Sequence, residues 1–333
     1  MAEYSMRIQI ADILIRFESD LASDISDIGN FFKYHHTDSL QEVDCTVQLK
    51  RQSCFHMPKD AELQWQSKSQ TIAEHKGRVG RRRIKTSSVI DTFGMASCYV
   101  SRERGEYYYG LMQDKTWICC CPSEHRIRYV LHQRPQRKSK YRLSEEIDST
   151  SAIPLLIHVI STLFGRVLIH GAAVCVDGRA SLFLGESGSG KSTLSTDLAK
   201  QKSEFMGDDL VLVYLKDGVP MVGALLFQAK LRPTDSDEKI SVDVPKEMQA
   251  KYCLSAPLNA VYLVQQCRVQ ESTVNPLPSV DLLQQLLVAS NGMMMQYDKQ
   301  QWLFSMYEIS DRVPYFLLNF GEPSLLKISL LKN

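Results

Sequence analysis

The stretch Ala180-Ser181-Leu182-Phe183-Leu184-Gly185-Glu186-Ser187-Gly188-Ser189-Gly190-Lys191-Ser192-Thr193 decides the reading of this chain. It opens as a short apolar run with strand character and turns through three glycines. It then passes into Ser192 to Lys200, which is helix-competent. The spacing G-x-x-x-x-G-K-[ST] is met in full from Gly185 to Ser192. Glycines let backbone N–H groups turn inward and approach phosphate closely, and the helix that follows adds a partial positive charge at its start. Lys191 is expected to reach the β and γ phosphates of a nucleoside triphosphate, and the Ser192 hydroxyl to bind Mg²⁺. The expected nucleotide-binding set is Gly185, Glu186, Ser187, Gly188, Ser189, Gly190, Lys191, Ser192 and Thr193.

Working upstream, Val167-Leu168-Ile169-His170 precedes a second run, Ala172-Ala173-Val174-Cys175-Val176. Asp177-Gly178 then separates that run from Ala180–Leu184. Asp-Gly between two strand-like runs predicts a tight hairpin, because the turn needs positive φ. The strand entering the glycine-rich loop is thus the second arm of an antiparallel hairpin, whereas a parallel neighbour would need a helical crossover. Before it, Ile153, Leu156, Ile157, Ile160, Leu163 and Phe164 form one apolar helical stripe, closed by Gly165. Downstream, Met206-Gly207-Asp208-Asp209-Leu210 leads into the apolar run Val211 to Leu215. Asp208-Asp209 alone would read as a turn.

An LSGGQ-type signature and an apolar strand ending in Asp-Glu are both lacking, which argues against a transporter ATPase. His170-Gly171, the loop and Asp208-Asp209 together resemble the HPr kinase/phosphorylase family and its smaller relatives, including peptide-modifying serine kinases. His170 precedes Lys191 by 21 positions and Asp209 follows it by 18, in register with that family's pattern. The likeness covers roughly residues 151 to 215 well. It implies an α/β domain of the HPr-kinase/PEP-carboxykinase-like P-loop kind, with a mixed sheet, over residues 146–333. It further implies Asp209 as general base, Asp208 beside Mg²⁺ with Ser192, His170 beside the transferred phosphoryl group, and ATP as donor. The implied acceptor is a serine or threonine hydroxyl of a peptide or protein, such as a biosynthetic precursor peptide. A small hydroxyl metabolite such as free serine is the alternative, and an ATP-binding regulatory module without transfer is another. The family's glutamate-containing signature has no counterpart in Gln228-Ala229-Lys230-Leu231-Arg232-Pro233-Thr234-Asp235, so phosphorolysis and HPr itself are not carried over. Lys230 and Arg232 alternate on one strand face there. Arg232 is taken as the phosphate-clamping arginine because its planar fork suits phosphate. Arg268 and Arg312 are the other candidates.

Residues 1–145 are expected to be β-rich, from the alternation in Met6–Ile10, Cys45–Leu49, Ala96–Ser101 and Tyr107–Met112. This part is the natural place for acceptor recognition. The net charge of +1 carries no global signal for nucleic acid or membrane. Two basic clusters, Lys76 to Lys85 and Arg126 to Arg142, read as solvated loops and a linker, without the interleaved aromatics of a single-strand binder. There is no apolar run near the roughly 20 residues of a membrane helix, and no basic-then-apolar leader. With nine cysteines and no spaced CxxC pair, a cytoplasmic protein with reduced thiols is expected. Cys119-Cys120-Cys121 would point alternately to the two faces of a strand, which disfavours a zinc site. Homo-oligomerisation is left open. In the last part, Val261–Val264 and Tyr315–Leu318 are expected strands. Ser279 caps an expected helix that ends at Asn291-Gly292, and Met293–Met295 is expected to be packing filler.

Overall fold

The computed structural model describes residues 2–52, 54–66, 96–111, 116–132, 153–201, 203–232, 239–267, 271–290, 299–321 and 331. The cluster Lys76–Lys85, the residues Arg134–Arg142, Arg268 and Met293–Met295 lie outside them. The chain divides into two compact units, with the change-over at Leu163/Phe164 and with Ile10–Asp12 grouped in the second.

The first unit is built on one eight-stranded sheet. Its strands are β1 (Tyr4–Ile10), β2 (Ile13–Ser19), β3 (Cys45–Gln52), β4 (Ala61–Gln66), β5 (Ala96–Ser101), β6 (Glu106–Leu111), β7 (Thr116–Cys121) and β8 (Arg126–His132), in the order β1-β2-β3-β8-β7-β6-β5-β4. Helix α1 (Ala22–Phe31) crosses between β2 and β3, which run parallel as such a connection requires. Helix α2 (Ile153–Leu163) closes the unit and is buried nearly all round. Its apolar stripe was legible, but it groups with the first unit and not with the glycine-rich loop. In β3 the alternation Cys45, Val47, Leu49 is the buried face. The three adjacent cysteines sit on β7, and all three are buried because both faces of that strand are covered. Burial pushes the Cys119 thiol up to about 12. Arg126 and Arg128 are paired locally, with Glu124 at 2.7 Å and with Glu106 at 3.2 Å.

The second unit is an α/β arrangement around a nine-stranded mixed sheet. Its elements are β9 (Val167–Ile169), β10 (Ala172–Val176), β11 (Arg179–Leu184), α3 (Lys191–Lys200), β12 (Glu204–Gly207), β13 (Val211–Lys216), β14 (Val219–Ala224), β15 (Gln228–Leu231), β16 (Ile240–Asp243), α4 (Val244–Met248), β17 (Ser255–Gln266), β18 (Thr273–Leu277), α5 (Ser279–Ser290), α6 (Lys299–Arg312) and β19 (Tyr315–Phe320). The hairpin β10–β11 is antiparallel from Ala172↔Phe183 to Val176↔Arg179, with Asp177 at φ 51° and Gly178 at φ 77° in its turn. On its far side β11 runs parallel to the long strand β17, which in turn runs parallel to β19. Strands β15 and β16 form a separate ribbon.

Helix α3 is the element that fixes the loop. Leu194 and Leu198, one turn apart, drop into a core of Val174, Phe183, Tyr262, Val264, Leu318 and Phe320 from four strands. Burying each leucine is worth about 1.5–3 kcal/mol, so the start of α3 is anchored against the end of β11. Among the described residues, no helix is long and apolar enough to cross a membrane.

Candidate active site

The loop between β11 and α3 is tight enough to dictate its glycines. Gly190 has φ 94°, and a Cβ there would stand 2.7 Å from Cζ of the buried Phe320. Gly185 has φ 145°, and a Cβ there would meet Ser189 Oγ at 2.8 Å and the Val264 carbonyl at 3.0 Å. Gly190 is also the N-cap of α3, and no side chain caps that helix. Its first N–H groups are therefore left for an anion. Lys191 is 6 % exposed. Its ammonium donates to the carbonyls of Gly185 at 2.8 Å and Glu186 at 3.0 Å. Burial pulls the Lys191 pKa below its ordinary value, and Asp208 and Asp209 oppose that.

Asp208 and Asp209 follow β12 and reach the loop by way of the sheet. Asp208 is 3 % exposed. Its carboxylate accepts from the Ser192 hydroxyl and, at 3.2 Å, from the Lys230 backbone N–H. Burial nevertheless raises its pKa. Asp209 adopts φ 70°, a left-handed conformation that aspartate tolerates better than most residues. It turns its side chain the other way. Oδ1 lies 3.2 Å from His170 Nδ1 and Oδ2 lies 2.8 Å from Lys230 Nζ. These contacts, with the His170 N–H foremost, hold the Asp209 carboxyl far below the usual carboxylate range despite partial burial. His170 arrives there by register. Strand β9 pairs antiparallel with β13 at Ile169↔Val211, so the residues just beyond this pair, His170 and the Asp209 segment, must meet. The His170 backbone N–H is tied to the Ala289 carbonyl at 2.9 Å.

The donor chemistry suits a nucleotide with a hard cation. A hydroxyl and a carboxylate, Ser192 and Asp208, face each other at the loop, and hard cations prefer such oxygen ligands. Gly185 and Gly190 leave no room for side chains where a phosphate would need backbone N–H groups.

The structure thus brings Lys191, Ser192, Asp208, Asp209 and His170 together. Arg232 is not gathered with them. It lies exposed just past the end of β15 and makes no ion pair with a described residue. Lys230, also exposed, takes its place: its backbone N–H reaches Asp208 and its side chain reaches Asp209. The alternation of Lys230 and Arg232 had put both forward, and only long-range pairing of β15 against the Asp208 turn separates them. Arg312 is held elsewhere, by Glu308 and the Gly218 carbonyl.

No family model matches the chain. Curated relatives match a part of the chain. An HPr kinase/phosphorylase of Streptococcus sanguinis is 34% identical over 87 residues, which is 26% of this chain and 25% of that protein. One from a Thermoanaerobacter species is 36% identical over 86 residues, 26% of this chain and 28% of that protein. One from Lactobacillus johnsonii is 43% identical over 58 residues, 17% and 18% of the two chains. The aligned part spans about a quarter of the length of the first two relatives. The HPr(Ser) kinase/phosphatase structure from Coxiella burnetii superposes with a TM-score of 0.32 and 13% identity, over 50% of this chain and 94% of that one. The mixed sheets and their covering helices define an α/β protein. Over the aligned part, the chain is similar to HPr kinase/phosphorylases.

Proposed function

We propose that this chain is an ATP- and Mg²⁺-dependent kinase that transfers the γ-phosphoryl group to a serine or threonine hydroxyl of a peptide or protein. The observation that carries this reading is the division of labour between the adjacent carboxylates. Asp208 is turned to Ser192 and the loop, and Asp209 is turned to His170 and Lys230. In this reading the backbone of Gly185 to Gly190 and the start of α3 cradle the phosphates, and Lys191 exchanges its two carbonyl partners for phosphate oxygens. Ser192 and Asp208 would hold Mg²⁺, which would supply charge neutralisation to the phosphates.

The acceptor oxygen forms its bond to the γ-phosphorus as the bond from that phosphorus to the ADP oxygen breaks, and Asp209 takes the acceptor's proton. A carboxylate tied by two donors is a weak base. Lys230, whose side chain is 60% exposed, is placed to move onto the phosphate and release Oδ2 as the acceptor enters. His170 keeps its hold on Oδ1 and orients the group. The first unit is the candidate surface for acceptor recognition.

The test is phosphate transfer from γ-labelled ATP to serine- and threonine-containing peptide libraries, with free serine as a parallel acceptor. Transfer to peptides, abolished in Asp209→Asn with nucleotide binding kept, is the expected result. Labelling of free serine alone would reassign the acceptor to a small molecule. Nucleotide binding with no acceptor labelled would make the chain a regulatory module and end the kinase reading.

A further inference from the structure

Away from the loop, three potential metal ligands converge on the edge of the second unit's sheet. Cys175 on β10 lies directly opposite Glu204 on β12. The chain returns beside β12 at residues 251–253. There Phe205 N–H donates to the Lys251 carbonyl at 2.8 Å, and Cys253 N–H donates to the Phe205 carbonyl at 3.1 Å. The bridge is between Phe205 and Tyr252. By the pleat, their neighbours Glu204 and Cys253 share the opposite face, which is also the face of Cys175. The two sulfurs and a Glu204 carboxylate oxygen all lie within 4.8 Å of one another. Among the described residues this is the one grouping of three such side chains with that spacing.

We propose that Cys175, Cys253 and Glu204 form a binding site for one soft divalent cation of the zinc class. Zinc–sulfur bonds of about 2.3 Å in a tetrahedron set sulfurs about 3.8 Å apart, so the observed spacing needs at most a small contraction. Two thiolates and a carboxylate leave the fourth position to water and give a net charge of −1 on the loaded site. Binding displaces one proton from each thiol, and these go to solvent. Cys175 is buried, while Cys253 and Glu204 are partly open and give the ion a way in.

The test uses the full chain, reduced and freed of metal, titrated with Co²⁺ as spectroscopic probe and then with Zn²⁺ in competition. One equivalent of Co²⁺ with a thiolate charge-transfer band and tetrahedral ligand-field intensity is expected, displaced by one equivalent of Zn²⁺. Cys253→Ser should lose the band, and Glu204→Gln should weaken binding by about tenfold or more. Cys54→Ser, at an exposed cysteine outside the cluster, should leave the signal intact. Both ligand variants change partly exposed residues, and circular dichroism checks that they fold. Absence of the band in the folded, reduced wild type would overturn the proposal, as would a band that survives Cys253→Ser.

Discussion

Asp209 Oδ1 sits 3.2 Å from Nδ1 of His170, and the pairing of β9 with β13 makes that meeting unavoidable. With Nδ1–H donating to the carboxylate, the neutral imidazole keeps Nε2 as its acceptor nitrogen. Replacing His170 with Gln keeps a donor but sets it one bond farther from the backbone than Nδ1, on a more flexible side chain. Its expected effect in the kinase assay is a fall in kcat, with nucleotide affinity little changed. A His170→Gln variant with unaltered kcat would detach His170 from the chemistry.

The two aspartates should respond to pH with opposite signs. The folded pKa of Asp209 is depressed, so its contribution to stability is present above the ordinary value of about 3.9. It fades as pH falls below that value toward the folded one. Asp208 is raised by burial, so its cost is absent below about pH 3.9 and grows as pH climbs through the folded value. Without nucleotide or metal at pH 7, Asp208→Asn is expected to raise Tm by a few degrees and Asp209→Asn to lower it. The Asp208 difference should shrink as the pH is taken toward 4, and the Asp209 difference only as it is taken below 4. Thermal melts across that range decide it, and equal signs at pH 7 would contradict the geometry.

Lys191→Ala removes an ammonium that is already positioned at the loop. Charge-assisted hydrogen bonds of about 1.5–3 kcal/mol correspond to a loss of roughly 10- to 100-fold in nucleotide affinity. Calorimetry of ATP binding measures this directly. A loss smaller than about threefold would mean that the lysine keeps its carbonyl partners when nucleotide is present.

Gly190→Ala tests the cradle as structure. The φ of 94° costs a side-chain-bearing residue of order 1–3 kcal/mol, and Phe320 adds a clash. Urea unfolding should show that loss. In the cycle with Phe320→Leu, the two changes are expected to be non-additive by about 0.5 kcal/mol or more. Strict additivity would show that the ring does not limit the loop.

The loop, the hairpin before it and the strands at 261–264 and 315–318 were legible because each rests on local chemistry. Asp177-Gly178 sets the turn, the glycines at 185 and 190 satisfy positive φ, and short apolar runs make buried strands. Strand β2 and helix α6 were not singled out. The helix carries exposed Leu303, Phe304 and Tyr307, which blur the apolar stripe that marks an amphipathic helix. Arg232 was favoured over Lys230 on side-chain chemistry alone. What separates them is the docking of β15 onto the Asp208 turn across 22 residues of sequence, and no local pattern encodes that pairing. The grouping of Cys175, Glu204 and Cys253 was hidden for the same reason, since two strand pairings create it.

The two carbonyl bonds of Lys191 have a consequence for discrimination among anions. Before any phosphate arrives, the ammonium already has partners in the Gly185 and Glu186 carbonyls. Any entering anion must outcompete those contacts, so its apparent affinity is a difference between two bound arrangements. A single small oxyanion offers fewer acceptors than a polyphosphate with which to offset the lost contacts. The resting loop therefore works as a threshold that favours long phosphate chains over the abundant single ones.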